Sequence, residues 1–127
     1  MIHPLIFCPS IESGGVEKNL FLISNFLSQK VDKVYLLTAN KDMNSKFNKK
    51  IIFISPKSRY WSNKSRILKS LICFFLFLKL NKNFLIISFQ SNILAIIISK
   101  IFNYKIIIRS NTSPEKYFKN NIKKIIF

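Results

Sequence analysis

The chain has 127 residues, of which 49% are hydrophobic and 14% aromatic. That is enough apolar material for one folded domain and too much for a disordered protein. Its 21 Lys and Arg outnumber five Asp and Glu, giving a formal net charge of +16. Such a charge attracts nucleic acid, phosphorylated small molecules or an anionic lipid surface. However, the lysines are scattered as singles and pairs, so a general compositional preference explains most of the charge equally well, and nucleic acid is not the partner we expect.

Cysteine and histidine are too sparse for a metal or redox site. Cys8 and Cys73 are far apart in the sequence, and His3 is the only histidine. We therefore expect two reduced, partly buried thiols in a cytoplasmic protein, with no metal ion. The most apolar stretch, residues 71–78, is preceded by Lys69 and ends at Lys79, short of the ~18 apolar residues of a spanning helix.

Short apolar runs alternate with longer segments of helical period. Strands are predicted at residues 5–8, 33–38, 51–54, 84–88 and 105–109, and helices at 16–27, 63–79, 93–102 and from Ser113 onward. The β-branched residues of 93–102 suit a strand equally well, but parallel neighbours need a crossover helix there. This order predicts an α/β fold, a Rossmann-like parallel sheet of about five strands covered by helices.

Gly14 and Gly15, the only two glycines, fall between the first strand and the first helix. The amide groups of a helix start at that junction form an anion site, and a side chain there would keep a phosphate or sugar away. Glu17 favours the helix start by its charge. The alternative is a tight turn that binds nothing. A P-loop is excluded because no Lys-Ser/Thr pair follows, and a dinucleotide site because the third glycine is missing.

Two further strand ends carry polar side chains that would face the same crevice. Gln90, Ser91 and Asn92 follow the fourth strand, whereas Arg109, Ser110 and Asn111 end the fifth strand and follow it. Some of these residues would serve equally well as helix caps. An arginine at the end of a buried strand is placed to bind a carboxylate or phosphate through two hydrogen bonds.

The segments IFCPSIESGGVEKNLFLISNFLSQ and IISFQSNILAIIISKIFNYKIIIRSNTSPEKY together resemble the N-terminal half of retaining GT-B glycosyltransferases of the family-4 type. The resemblance implies an acceptor-side Rossmann-like domain whose glycine loop, here Gly14, Gly15 and Glu17, borders the diphosphate of a nucleoside-diphosphate sugar. It places Gln90 to Asn92 and Arg109 to Asn111 on the acceptor side. Many relatives have a histidine near the end of the fifth strand, where this chain has Arg109-Ser110-Asn111, so no catalytic residue is assigned.

The resemblance also implies a second, C-terminal donor-binding domain that residues 1–127 do not contain. We expect the chain to be an incomplete front half whose partner domain lies in the same or a neighbouring chain, and to be inactive alone. The complete enzyme would transfer a sugar, without a cofactor, to a glycan or lipid-linked acceptor in polysaccharide synthesis. The alternative function is a non-catalytic α/β module that binds a phosphate ligand or nucleic acid.

A basic arc on the 63–79 helix predicts a membrane contact. On a helical wheel Arg66 and Lys69 share one side, close to Arg59 and Trp61 in the sequence. Basic and aromatic side chains of this kind suit an anionic membrane surface, which would place the chain on the inner face of the cell membrane. The alternative is a helix that covers the sheet and turns its polar side to water.

Overall fold

The computed structural model describes residues 2–12, 15–40 and 46–109. The strands are β1 (His3–Phe7), β2 (Val34–Leu37), β3 (Ile51–Ile54), β4 (Phe84–Ser88) and β5 (Lys105–Ile108). The helices are α1 (Gly15–Lys30), α2 (Arg66–Leu78) and α3 (Asn92–Phe102), with a short 3-10 helix over Arg59–Asn63. No helix in these described ranges is long and apolar enough to cross a membrane.

All five strands are parallel and pair in the order β3-β2-β1-β4-β5. The chain builds outward from β1 to β3, then crosses to β4 on the other side of β1. The predicted α/β class with an open Rossmann-like sheet is therefore confirmed. In such sheets the connections diverge where the strand order reverses, here between β1 and β4, and leave a crevice at the carboxyl edge.

Each face of the sheet has its own core because successive side chains of a strand point to opposite sides. Leu5 and Phe7 of β1 pack with Cys73 and Phe77 of α2 and with α3. The alternate residue Ile6 belongs to the second core, which α1 covers. Two apolar faces buried in this way hold the crevice-forming strand ends in a fixed frame.

The helix predicted over 63–79 begins later than expected. It starts at Arg66, after the 3-10 helix, because Ser65 caps it by accepting a hydrogen bond from the backbone N–H of Leu68 at 3.4 Å. The ambiguous segment 93–102 is helical, as its crossover position predicted. The helix predicted from Ser113 onward lies outside the described residues.

Helix α2 buries part of its polar side instead of exposing it. Lys69 and Ser70 are buried on the same side as Cys73 and Phe77. The exposed side carries Ile67, Leu68, Leu71, Phe75 and Leu78. The prediction that Lys69 contacts a membrane is therefore wrong, because its side chain is buried toward the sheet. The alternative holds in that α2 covers the sheet, but only part of its polar side faces water.

The other three members of the predicted membrane contact differ in exposure. Arg59 is exposed, whereas Trp61 is half-buried against the core that α2 covers. Arg66 is exposed but forms an ion pair with Glu12. The four residues therefore do not form one basic surface.

Candidate ligand crevice at the carboxyl edge of the sheet

Residues 8–12, called the β1 loop below, leave β1 at the carboxyl edge and lead toward the glycine pair. Backbone hydrogen bonds first tie the loop to β2. Cys8 N–H donates to the carbonyl of Leu37 at 3.1 Å, and Ala39 N–H donates to the carbonyl of Pro9 at 2.9 Å. The loop therefore continues the sheet for two residues beyond the strand.

Side-chain amides from the neighbouring strand ends then hold the β1 loop from both sides. Ser10 N–H donates to Oε1 of Gln90 at 2.9 Å, and Ile11 N–H donates to Oδ1 of Asn40 at 3.0 Å. Gln90 follows β4 and Asn40 follows β2, so the strands on either side of β1 both contribute. Buried backbone donors need such partners, and these bonds therefore fix the path of the loop.

Lys69 of α2 completes this brace from above the sheet. Its side chain is only 6% exposed, and Nζ donates to Oδ1 of Asn40 at 3.2 Å and to Oγ of Ser10 at 3.3 Å. A buried ammonium is costly unless hydrogen bonds replace its water. Lys69, Asn40, Ser10 and Gln90, called the loop brace below, are thus one connected polar group.

Glu12 carries the brace outward to the solvent. Arg66 Nη2 donates to Oε2 of Glu12 at 2.7 Å, and Oγ of Ser10 donates to Oε1 at 3.1 Å. The hydrogen bond from Arg66, above all, lowers the pKa of the Glu12 carboxyl below its ordinary value. Both ion-pair side chains are more than half exposed, so the pair stabilises the loop only modestly.

A second polar group lies beyond β4. Oγ of Ser88 donates to Oδ1 of Asn92 at 2.7 Å, and Nδ2 of Asn92 reaches the carbonyl of Arg109 at 3.5 Å. The Arg109 guanidinium lies 5.5 Å from the centre of the Phe89 ring, within range of a cation–π contact. The ends of β4 and β5 are therefore joined by the side chain that starts α3.

Ser91 adopts the left-handed conformation, with φ 54° and ψ 47°. Its hydroxyl makes no capping bond to α3 and instead shares a hydrogen bond with the hydroxyl of Ser70 in α2. Helix capping therefore does not explain the Ser91 side chain. Non-glycine residues rarely adopt positive φ, so surrounding contacts must hold this bend, and the Ser70 bond is one of them.

An open cleft lies between the starts of α2 and α3. Its volume is about 330 Å³, and it is lined by Arg66, Ile67, Ser70, Leu71, Ser91, Asn92, Ile93 and Leu94. Apolar groups form almost all of its walls, because the hydroxyls of Ser70 and Ser91 are bonded to each other. Such a cleft is suited to an apolar group.

The structure brings together four of the residues that the sequence predicted. Gln90, Ser91, Asn92 and Arg109 lie at the carboxyl ends of β4 and β5, as expected. Gly15 begins α1 and Glu17 lies in its first turn. The remaining predicted residues, Gly14, Ser110 and Asn111, lie outside the described residues.

Sequence reasoning missed Ser10 and Asn40 and misplaced Lys69. Their contacts join positions 29 and 59 residues apart, which no local pattern reveals. One signal was present for Lys69, since it precedes Cys73 and Phe77 by four and eight residues and thus shares their buried helix side.

The cysteines and the histidine do not form a reactive group. Burial raises the pKa of the Cys8 thiol to about 12, and burial likewise raises the pKa of Cys73. His3 starts β1 at the opposite, amino edge of the sheet. Among residues 2–12, 15–40 and 46–109, no cluster of three or more His, Cys, Asp or Glu side chains could hold a metal ion.

Compared with known proteins, the chain matches no family model, no curated protein and no solved structure. Function must therefore be argued from the fold and from the crevice.

Proposed function

We propose that the chain is the acceptor-side domain of a glycosyltransferase that moves a sugar from a nucleoside-diphosphate sugar to a glycan or lipid-linked acceptor. The observation that carries the proposal is the loop brace at the carboxyl edge. Three side chains, from α2 and from the ends of β2 and β4, hold the β1 loop in place just before Gly14 and Gly15. The amides of Ser10 and Ile11 are used in this brace, so the loop fixed in advance serves to hold the start of α1. The amides of that helix start would then meet the diphosphate without first paying to become ordered.

The second polar group supports an acceptor role for the other side of the crevice. Asn92 and Arg109 join the ends of β4 and β5, on the other side of the crevice from β2, and Asn92 also lines the cleft between α2 and α3. In this proposal the diphosphate lies against the β1 loop and Gly15, and Gln90, Asn92 and Arg109 orient the acceptor. The resemblance to family-4-type enzymes supports the same assignment, with the sugar nucleotide bound mainly by a C-terminal domain outside residues 1–127. The proposal includes a cytoplasmic location at the inner face of the cell membrane, where lipid-linked acceptors would be met.

Titration of the chain with UDP and GDP, followed by backbone amide NMR, tests the diphosphate site. We expect weak binding, with shifts concentrated at Gly15 and Glu17. Gly15→Val should weaken that binding by about tenfold or more, because a branched side chain would occupy the space of the phosphate. Asn19→Val, one turn further along α1, places the same side chain away from the loop and should leave the affinity unchanged.

Equal effects of the two valine variants, or no shifts at the start of α1, would contradict the proposed diphosphate site. We also expect the chain alone not to turn over a nucleotide sugar, since the donor-binding domain is proposed to lie elsewhere. Release of nucleoside diphosphate from a sugar nucleotide by this chain would show that expectation to be wrong.

The second candidate is a non-catalytic module that binds a phosphate ligand or nucleic acid. One observation favours it: no Asp or Glu occurs between Asp42 and Glu115, whereas Lys and Arg are frequent there. Binding of an oligonucleotide with a steep salt dependence, without nucleoside-diphosphate shifts at Gly15, would support this alternative.

A further inference from the structure

The outward side of α2 and α3 is apolar on both helices. The exposed apolar residues of this side include Ile67, Leu71, Phe75 and Leu78 in α2, and Ile93, Ile97 and Ile101 in α3. Each set recurs at intervals of three or four residues, so each forms one stripe along its helix. The two stripes together are called the apolar helix face below.

The two stripes meet at the carboxyl edge of the sheet. Ile67 and Leu71 from α2 and Ile93 from α3 line the same cleft. Both helices start at this edge and cover the same face of the sheet, where α2 and α3 contact each other. Surfaces of monomers ordinarily scatter their apolar residues, so a face shared by two helices indicates a partner.

Positive charge outweighs negative charge along the border of this face, because the exposed Glu12 there is already paired with Arg66. Lys64 precedes α2, Lys79 follows it, and Lys100 lies in the last turn of α3. No acidic residue occurs anywhere between Asp42 and Glu115. The border of the face therefore complements a negatively charged surface.

We propose that the apolar helix face docks the chain onto an anionic lipid bilayer. An apolar stripe with basic borders is the composition of helices that lie flat in a membrane interface. Helix α2, with 13 residues, is about 20 Å long and thus suits lying along the surface rather than crossing it. The proposed contact replaces the basic arc that the sequence predicted, since Lys69 of that arc is buried.

Charge argues against two other occupants. A second copy of the chain would place its own lysines against those that border the face, and like charges across an interface are unfavourable. The other occupant would be the segment after residue 109, which is also basic, with Lys116, Lys119, Lys123 and Lys124 against Glu115. An anionic lipid headgroup layer has no such conflict.

This inference deepens the membrane location in the proposed function by naming the surface responsible. It rests on that location but not on sugar transfer, and its test uses no nucleotide. If the chain fails to bind vesicles, the nucleoside-diphosphate titration is unaffected. If the titration fails, the vesicle result is likewise unaffected.

Flotation of the full chain with vesicles tests the proposal. We expect binding to vesicles of phosphatidylglycerol and phosphatidylcholine, and much weaker binding to phosphatidylcholine alone. The double variant Ile67→Gln/Phe75→Gln should lower the partition coefficient for the anionic vesicles by about tenfold or more, because two inserted apolar side chains are lost.

The matched control is Leu22→Gln/Phe26→Gln on α1, which covers the opposite face of the sheet. The exposed fractions are 69% and 57% for Leu22 and Phe26, against 74% and 57% for Ile67 and Phe75. The control should bind anionic vesicles as the parent does. Circular dichroism checks that both variants fold, which we expect since all four side chains are exposed.

Three results would overturn the proposal. One is equal binding to neutral and anionic vesicles, or none to either. Another is an equal loss of binding to anionic vesicles in both double variants. The last is a parent dimer in light scattering that Ile67→Gln/Phe75→Gln alone converts to a monomer, because the apolar helix face would then be a contact between copies of the chain.

Discussion

Lys69 connects helix α2 to the carboxyl edge of the sheet. It belongs to α2, yet its ammonium lies at the carboxyl edge and holds Asn40 and Ser10. Both partners also have other hydrogen bonds, Asn40 to the N–H of Ile11 and Ser10 to Glu12. The contribution of Lys69 is therefore the fixed position of the loop as much as the stability of the fold.

A double-mutant cycle measures the link between Lys69 and the loop. We expect Lys69→Met and Asn40→Ala each to lower the free energy of unfolding by about 1–3 kcal/mol. The double variant should lose about 0.5–2 kcal/mol less free energy of unfolding than the two single variants added together, because each change removes the same hydrogen bond. Urea denaturation supplies all four values.

The control cycle pairs Asn40→Ala with Lys18→Met, whose side chain is exposed on α1. The losses of unfolding free energy caused by these two changes should be additive. Additivity in the Lys69 cycle as well would refute the brace as a connected group.

The two thiols should be inert in the folded chain. Because burial raises the pKa of Cys8 from its ordinary value of 9.0 to about 12, hardly any thiolate exists at pH 8. A chromogenic disulfide reagent should therefore label neither cysteine under native conditions and both in urea. Rapid native labelling of Cys8 would contradict its burial.

The same raised pKa sets the sign of a pH effect on stability. Above pH 9 the unfolded chain releases thiol protons that the folded chain keeps up to about pH 12. The free energy of unfolding should accordingly fall as the pH rises through this window.

At the scale of elements, local pattern was enough to find all five strands and the three described helices. Apolar runs such as Ile51–Ile54 and Phe84–Ser88 coincide with the strands because both faces of the sheet are covered. The ends were less accurate, since β1 begins at His3 and α2 at Arg66. Strand β1 begins at His3 because His3 and Pro4 pair with Phe84 and Leu85 of β4, and Ser65 caps the start of α2. Neither the pairing nor the cap is visible in an apolar pattern.

The orientation of α2 could not be taken from its wheel alone. The wheel separates a polar arc from an apolar arc, and the usual assumption turns the apolar arc inward. In the folded chain polar groups of the carboxyl edge lie beneath the first turns of α2, where Lys69 faces Ser10 and Asn40 and Ser70 faces Ser91. Only the tertiary position of Ser10 and Asn40 explains that choice.

At the scale of the whole molecule, the strand order predicts a gradient of stability. Strands β1 and β4 are paired on both sides, whereas β3 and β5 lie at the edges among the described strands. Side chains of β5 are also more exposed, with Ile107 and Ile108 largely open. Edge strands with exposed side chains open more readily than central ones.

Native-state hydrogen exchange checks this gradient. We expect the amides of Leu5 to Phe7 in β1 to exchange slowest, at the rate set by global unfolding, and those of β5 to exchange faster. Equal protection of β1 and β5 would mean that a further element covers the edge in solution.

The buried Lys69 connects the exposed outer side of α2 to the β1 loop. The outer side of the helix carries the apolar stripe and its inner side grips the segment that leads to the glycines. A tilt of α2 would therefore move the Lys69 ammonium and change the hydrogen bonds of Ser10 and Ile11. If the outer side of α2 binds lipid, we expect the backbone amide chemical shifts of those two residues to change, although neither lies on the apolar helix face.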